Sequence, residues 1–181
     1  MNEKRMKEYL EAAKSISETT GFDWLILLTH AYHESGGFDR VIGLNNFWGI
    51  KTPTKSNWTG LSKTVLTTEY EQVIEGESLN AAVERTQKKY GRLVEKVDRS
   101  LTYKDKWKIS IKQNFRDWET SEEAVKWYVD FIKNNYPEAF SFRTDYQNYF
   151  KRLVDGKLKY ATDPIYAKKC EDLYIALKRR V

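Results

Sequence analysis

The 181-residue chain is predicted to fold as a single α+β domain over residues 1–181, mainly helical, with a small β-rich lobe between two helical regions. Three observations carry this expectation. Apolar residues recur at three- and four-residue steps towards both ends of the chain; glycines and a proline break that period in the middle, between short β-prone runs; and one later segment alternates its side chains with the period of a strand.

Residues 3–19 form the first predicted helix, with Met6, Tyr9, Leu10, Ala13 and Ile16 on one face and Thr20-Gly21 as its stop. Residues 22–35 form the second. It is apolar nearly all round (Trp24, Leu25, Ile26, Leu27, Leu28, Ala31, Tyr32), the mark of a central buried helix, and Gly36 and Gly37 close it. Over residues 38–70 the helical period is lost, and Gly43, Gly49, Pro53 and Gly60 punctuate β-prone runs at 47–51 and 64–68, a loop-and-strand lobe. Residues 77–97 return to a helical pattern, while Trp107, Ile109, Ile111, Gln113 and Phe115 share one side of a predicted strand. Thr120-Ser121-Glu122-Glu123 is a capping box before Ala124, Val125, Trp127, Tyr128, Phe131 and Ile132, in a helix that ends near Asn134, Asn135 and Pro137. Two more helices are expected: 145–154, closed by Gly156, and 164–179, opened by Asp163 as N-cap and Pro164 at its first position.

Composition excludes several classes. With 40% hydrophobic residues, three prolines, and six Trp, twelve Tyr and eight Phe, the chain is neither collagen-like, coiled-coil nor disordered, and it is long enough to bury a full core as a monomer. Cys170 is the single cysteine, which rules out an internal disulfide and a zinc finger. Charges at Glu3, Lys4, Arg5, Lys7, Glu8, Glu11, Lys14 and Glu18 leave no apolar core for a secretory signal, and no stretch approaches the ~20 apolar residues of a membrane span. The net charge is +5, and residues 145–181 hold nine basic against five acidic side chains, or +4 of that total. A basic face suits an anionic polymer, but the interspersed acids suit a solvated helix surface equally well. No nucleic-acid motif accompanies the charge, so nucleic acid is not expected as a partner.

Glu34 falls in the last turn of the most apolar helix. Burial beside aromatic side chains raises a glutamate's pKa, and the C-terminal end of a helix disfavours negative charge, so Glu34 is expected to keep its proton near neutral pH. A protonated carboxylic acid beside a cleft is what glycoside cleavage uses to protonate the leaving oxygen; spacing alone favours a glutamate that caps or pairs at a helix end. His30 and His33 lie three apart, with Glu34 four from His30, yet they match neither His-Glu-x-x-His nor its inversion and lack a third ligand. No metal is therefore expected, and the histidines read as packed or Glu-orienting. The run Leu44-Asn45-Asn46-Phe47-Trp48-Gly49-Ile50-Lys51 joins amides that bond sugar hydroxyls to aromatic faces that stack on pyranose rings, although a turn followed by a core strand would use the same residues.

Read together, Ala31-Tyr32-His33-Glu34-Ser35-Gly36-Gly37, then Asn45-Asn46-Phe47-Trp48-Gly49-Ile50-Lys51, Trp58-Thr59-Gly60, Thr67-Thr68-Glu69-Tyr70, Phe115-Arg116 and Tyr160-Ala161-Thr162-Asp163-Pro164-x-Tyr166-Ala167 resemble glycoside hydrolase family 73. This is the glucosaminidase family of bacterial autolysins, flagellar muramidase-type domains and phage lysins, and the shared order spans residues 22–180. The resemblance implies a lysozyme-like fold and hydrolysis of the β-1,4 bond after N-acetylglucosamine in peptidoglycan, without a cofactor. It makes Glu34 the catalytic acid, Glu69 the second carboxylate and Tyr160 a neighbour of the scissile bond, with Asn46, Trp48, Trp58, Trp118 and Tyr166 on the substrate. Asp163 lies in the same motif but is better explained as a helix N-cap.

Three departures stand out. His33 replaces an apolar residue, which makes the acid's surroundings more polar; Trp118 stands where a tyrosine commonly follows the Phe-Arg pair; and the stretch from Glu69 to Phe115 is long, an insertion over 70–114 in or next to the β-lobe. A muramidase or lytic transglycosylase on the same fold, and a non-catalytic wall-binding module, are the rival readings. With no secretory signal, the chain is expected to be a phage endolysin, held in the host cytoplasm until a holin-type release and acting at the cell wall, or a virion-associated lysin.

Overall fold

The first helix, α1 (Glu3–Thr20), starts where Asn2 accepts from the Arg5 amide and stops at Gly21, whose left-handed φ of 64° lets its N–H reach Ser17 O. In this computed structural model residues 1–53 and 57–181 are described; residues 54–56 of the expected loop-and-strand lobe lie outside them. The described chain forms two compact units: Met1–Ile50 with Asp117–Val181, and Lys51–Arg116.

The first unit is helical. It contains α1, α2 (Trp24–Glu34), α4 (Ser121–Asn135), α5 (Pro137–Phe140), α6 (Tyr146–Asp155) and α7 (Tyr166–Lys178). Every residue from Leu25 to Ala31 is buried, as its all-round apolar sequence predicted, and α2 packs against α1 and α7. Around it the core is aromatic. Tyr9 meets the edge of Phe47 at 4.8 Å, Phe47 meets Trp48 at 5.6 Å, and Trp48 lies flat on Tyr128 at 4.0 Å. The capping box is present, Thr120 accepting from the Glu123 amide at 3.1 Å while Glu123 accepts from the Thr120 amide.

The second unit is a three-stranded antiparallel sheet with one helix against it. Strands β1 (Ser62–Gln72), β2 (Val94–Arg99) and β3 (Lys106–Arg116) are ordered β1-β3-β2, β1 pairing with β3 from Ser62↔Arg116 to Gln72↔Lys106. The alternation read over 107–118 is real: Trp107, Ile109, Ile111 and Phe115 are all buried. Helix α3 (Leu79–Tyr90) shares a core with the sheet through Ala82, Val97, Trp107, Ile109 and Ile111.

Four local expectations are corrected. The helix expected over 77–97 ends at Tyr90, because Gly91 takes φ 64° and a short 3-10 turn, Gly91–Leu93, leads into β2. The β-prone run 47–51 is not a strand: Gly49, at φ 63°, breaks the extended backbone, leaving only a single bridge at Lys51. Asp163 does not cap α7. The helix starts two residues later than expected, at Tyr166, and Asp163 instead accepts from the Ile165 amide at 3.0 Å in the turn before it. Finally, the four-residue α5 carries Pro137 at its start, where the sequence marked only a stop. Among the described residues no helix is long and apolar enough to cross a membrane.

Candidate active site

Glu34 is the last residue of α2, and both ends of that helix are pinned. At the start, the Asp23 carboxylate caps the Leu25 amide at 2.8 Å and accepts from the Tyr174 hydroxyl of α7 at 2.8 Å. At the end, Ser35 Oγ donates to Ala31 O at 2.6 Å and accepts from the Phe38 amide at 3.0 Å, while Gly36, Gly37 and Phe38 all take left-handed φ values. Two of these three are glycines, for which that region is unstrained. The chain thus turns away at once beyond Glu34, and 23% of its side chain stays exposed.

The protein side of this carboxyl is a relay of buried rings. Tyr166 OH donates to Glu34 Oε1. The same hydroxyl lies 2.7 Å from His30 Nε2, and His30 Nδ1 is bonded to Tyr128 OH. The donor inventory sets the proton positions. A carboxylate only accepts, so the Tyr166 proton points to Glu34, its oxygen accepts from His30 Nε2–H, and the Tyr128 hydroxyl bonds the other ring nitrogen. His30 is fully buried, and its Nε2 is 3.6 Å from Glu34 Oε1. Neither ring nitrogen is left for a metal, and among the described residues no group of three or more His, Cys, Asp or Glu is placed to hold one.

The electrostatics differ from the sequence expectation. Burial is the largest influence on Glu34 and pushes its pKa up, but the adjoining His30 ring, the Tyr166 hydroxyl and His33 together outweigh it, and the pKa lies below the ordinary glutamate value. Desolvation and the helix end are legible in the string; the approach of the His30 ring to the carboxyl and the hydroxyl donated by α7 arise only from packing. Burial also pulls the His33 pKa down and raises the Tyr166 hydroxyl far above the usual tyrosine range.

The other expected residues occupy distinct positions. Tyr160 packs its ring 4.7 Å from His30 and 5.6 Å from Tyr136, beside the relay. Tyr166 is the residue that bonds the acid. Asn46 is buried, and its amide clamps the loop by accepting from Ile50 N and donating to Ile50 O, both at 2.9 Å. Trp48 is buried with its face on Tyr128, so it supports the relay from behind. Trp118 is buried against Trp127 at 5.1 Å. The loop that carries Asn46 and Trp48 is held by Asp117, whose carboxylate accepts from the amides of Leu44, Asn45 and Trp118 at 2.8–3.0 Å. A Cβ at Gly43 would run into that carboxylate. In the second unit, Glu69 accepts from Lys51 Nζ at 3.0 Å, and the Trp58 ring lies under the Arg116 guanidinium at 4.9 Å.

Two other features do not compete with this site. A cavity of about 460 Å³ lies between α1 and the start of α4, but Glu8, Glu11, Glu119 and Glu122 line it, and none of the relay residues does. The Cys170 thiol is buried and its pKa is pushed up to about 12, so it is no nucleophile. The sequence reading missed Tyr128, which looked like any apolar position of α4.

A family model described as glucosaminidase, mannosyl-glycoprotein endo-β-N-acetylglucosaminidase, matches residues 10–179. The chain belongs to this glucosaminidase family. As a glucosaminidase it is a glycoside hydrolase, as its resemblance to family 73 implied. The peptidoglycan hydrolase FlgJ of Pseudomonas aeruginosa is 28% identical over 168 residues, a match that covers 88% of this chain and 33% of that protein, so the chain spans about a third of the relative's length. Among solved structures, the glycoside hydrolase domain of Salmonella typhimurium FlgJ superposes with a TM-score of 0.63 at 22% identity, covering 99% of this chain and 91% of that one. A peptidoglycan hydrolase mutant from Sphingomonas sp. A1 gives 0.61 at 23% identity, covering 96% and 94%. The catalytic domain of the autolysin Auto from Listeria monocytogenes gives 0.59 at 16%, covering 96% and 82%. At these identities the structural likeness bears on the fold, and it agrees with the expected α+β, lysozyme-like class.

Proposed function

We propose that this glucosaminidase is a peptidoglycan hydrolase that cleaves the β-1,4 bond after N-acetylglucosamine, with Glu34 as general acid. The observation that carries the reading is Glu34 itself: a partly exposed carboxyl at the end of a buried helix, held on one oxygen by Tyr166. Because Oε1 is engaged by that hydroxyl, a proton carried by Glu34 belongs on Oε2 and is the one handed to the glycosidic oxygen as an oxocarbenium-like centre develops. Peptidoglycan as the substrate is supported by the names of the relatives, two of which are called peptidoglycan hydrolases. Cutting glycan strands internally removes the load-bearing backbone of a wall, so the same reading gives the protein a lytic role, as an endolysin.

Digestion of purified peptidoglycan followed by mass spectrometry of the fragments tests this. Reducing-end N-acetylglucosamine is expected; 1,6-anhydromuramic products or reducing-end N-acetylmuramic acid would overturn the bond assignment.

A further inference from the structure

We propose that His30 is the positioning residue of this site: as an Nε2–H donor it holds the Tyr166 hydroxyl aimed at Glu34 and so sets the pH window in which the acid carries a proton. The inference rests on Glu34 being the acid. Its basis is geometric. His30 is fully buried on α2, one turn before Glu34, with a tyrosine from a different helix on each nitrogen: Tyr128 of α4 on Nδ1 and Tyr166 of α7 on Nε2. A tyrosine has one proton to give. If His30 Nε2 offered a lone pair instead of N–H, the Tyr166 proton would turn to it and Glu34 would lose its donor. A Tyr128 hydroxyl donating to Nδ1 matches the tautomer that keeps the proton on Nε2, so the core contact and the carboxyl favour the same arrangement.

The surrounding groups leave His30 this role. Tyr149 of α6 and Tyr160 of the connection before α7 face the same ring, and burial raises both hydroxyls above the ordinary tyrosine value, as it does those of Tyr128 and Tyr166; all four therefore stay neutral through the working range. Cys170 of α7 is likewise a neutral thiol, and His33 is shifted towards its neutral form. Asp163 and Lys169 neutralise each other at 2.7 Å.

The sign follows. A general acid works protonated, so activity falls as pH rises through the Glu34 pKa. Removing the His30 ring, the larger influence, and with it the aim of the Tyr166 donor destabilises the carboxylate, raises that pKa and moves the alkaline limb of kcat/KM to higher pH. His30→Leu is expected to move the limb that way and to lower kcat roughly tenfold to a hundredfold through misplacement of the acid. His30→Gln, whose amide still donates to Tyr166, is expected to restore most of kcat. Tyr128→Phe, which removes only the Nδ1 donor at nearly constant volume, is expected to move the limb in the same direction by less. An alkaline limb in His30→Leu that coincides with the wild-type one, or a His30→Gln enzyme as slow as His30→Leu, overturns the proposal. Should His30→Leu fail to fold, Tyr128→Phe decides: a displaced limb supports the relay and a coincident limb sinks it. Glu34→Gln separates the two layers, because an active Glu34→Gln enzyme removes the acid assignment itself, whereas a dead one with coincident limbs elsewhere removes only the role of His30.

Discussion

The Tyr166 hydroxyl donates to Glu34 Oε1 across 132 positions of sequence, tying the first residue of α7 to the last residue of α2. Together with the His30 ring, which is the larger influence, that contact explains why a carboxyl pushed upward by burial nevertheless sits below the ordinary glutamate value. It also implies that Glu34 is largely ionised at neutral pH before sugar arrives. A bound glycan covers the 23% of the side chain still exposed and adds to the desolvation that is already the largest influence. The alkaline limb of kcat, which reports the complex, is therefore expected at higher pH than that of kcat/KM, which reports the free enzyme. Rate profiles on a soluble glycan fragment would show it, and coincident limbs would count against the argument.

Replacing Glu34 by Gln keeps an acceptor for Tyr166 and removes the proton. We expect kcat to fall roughly 10²- to 10⁴-fold, with the melting temperature within about 2 °C of wild type and pull-down by insoluble peptidoglycan retained. Loss of binding together with activity would point to a folding defect and not to chemistry.

Glu69 makes a separate prediction through its family position. If Glu69 is the second carboxylate that activates water, its change to Gln is expected to depress kcat, and the wild-type product is expected to have an inverted anomeric centre by proton NMR. Retention, with Glu69→Gln still active, would instead assign the internal nucleophile to the substrate's own 2-acetamido group.

The loop of Asn46 and Trp48 depends on Gly43 beside Asp117. Gly43→Ala adds a Cβ against the Asp117 carboxylate in a backbone at φ 63°, and strain plus overpacking should destabilise the helical unit by ~2–4 kcal/mol. Urea unfolding followed by far-UV circular dichroism measures this; a neutral effect would mean that the loop moves aside freely.

Acid should loosen the sheet unit through Glu77. Two bonds from Arg85 and one from the Trp107 indole lower its pKa from 4.5 to about 2. A depressed pKa stabilises the fold above the unfolded value, so this contribution is complete above about pH 4.5 and disappears as pH falls towards 2. Trp107 emission should report the transition, and Glu77→Gln should flatten the pH dependence in that window. An unchanged slope would relieve Glu77 of the role.

Most of the architecture was readable from local pattern. The buried α2, the Thr120 capping box and the alternating β3 each follow from side-chain period and short-range hydrogen bonding, which act within a few residues and are written in a few residues. The misreadings fall where one backbone angle overrides composition, as at Gly49 and Gly91, whose left-handed φ values end a run that hydrophobicity alone would continue.

The candidate site divides along the same line. Glu34 stood out in the string because a carboxyl in so apolar a helix is costly wherever the helix packs, and its motif pointed to sugar chemistry. The sign of its pKa shift and the identity of its partners could not be read there. Tyr128, His30 and Tyr166 come from three helices, and proton affinity depends on which atoms touch across them, an outcome of packing that no single segment encodes.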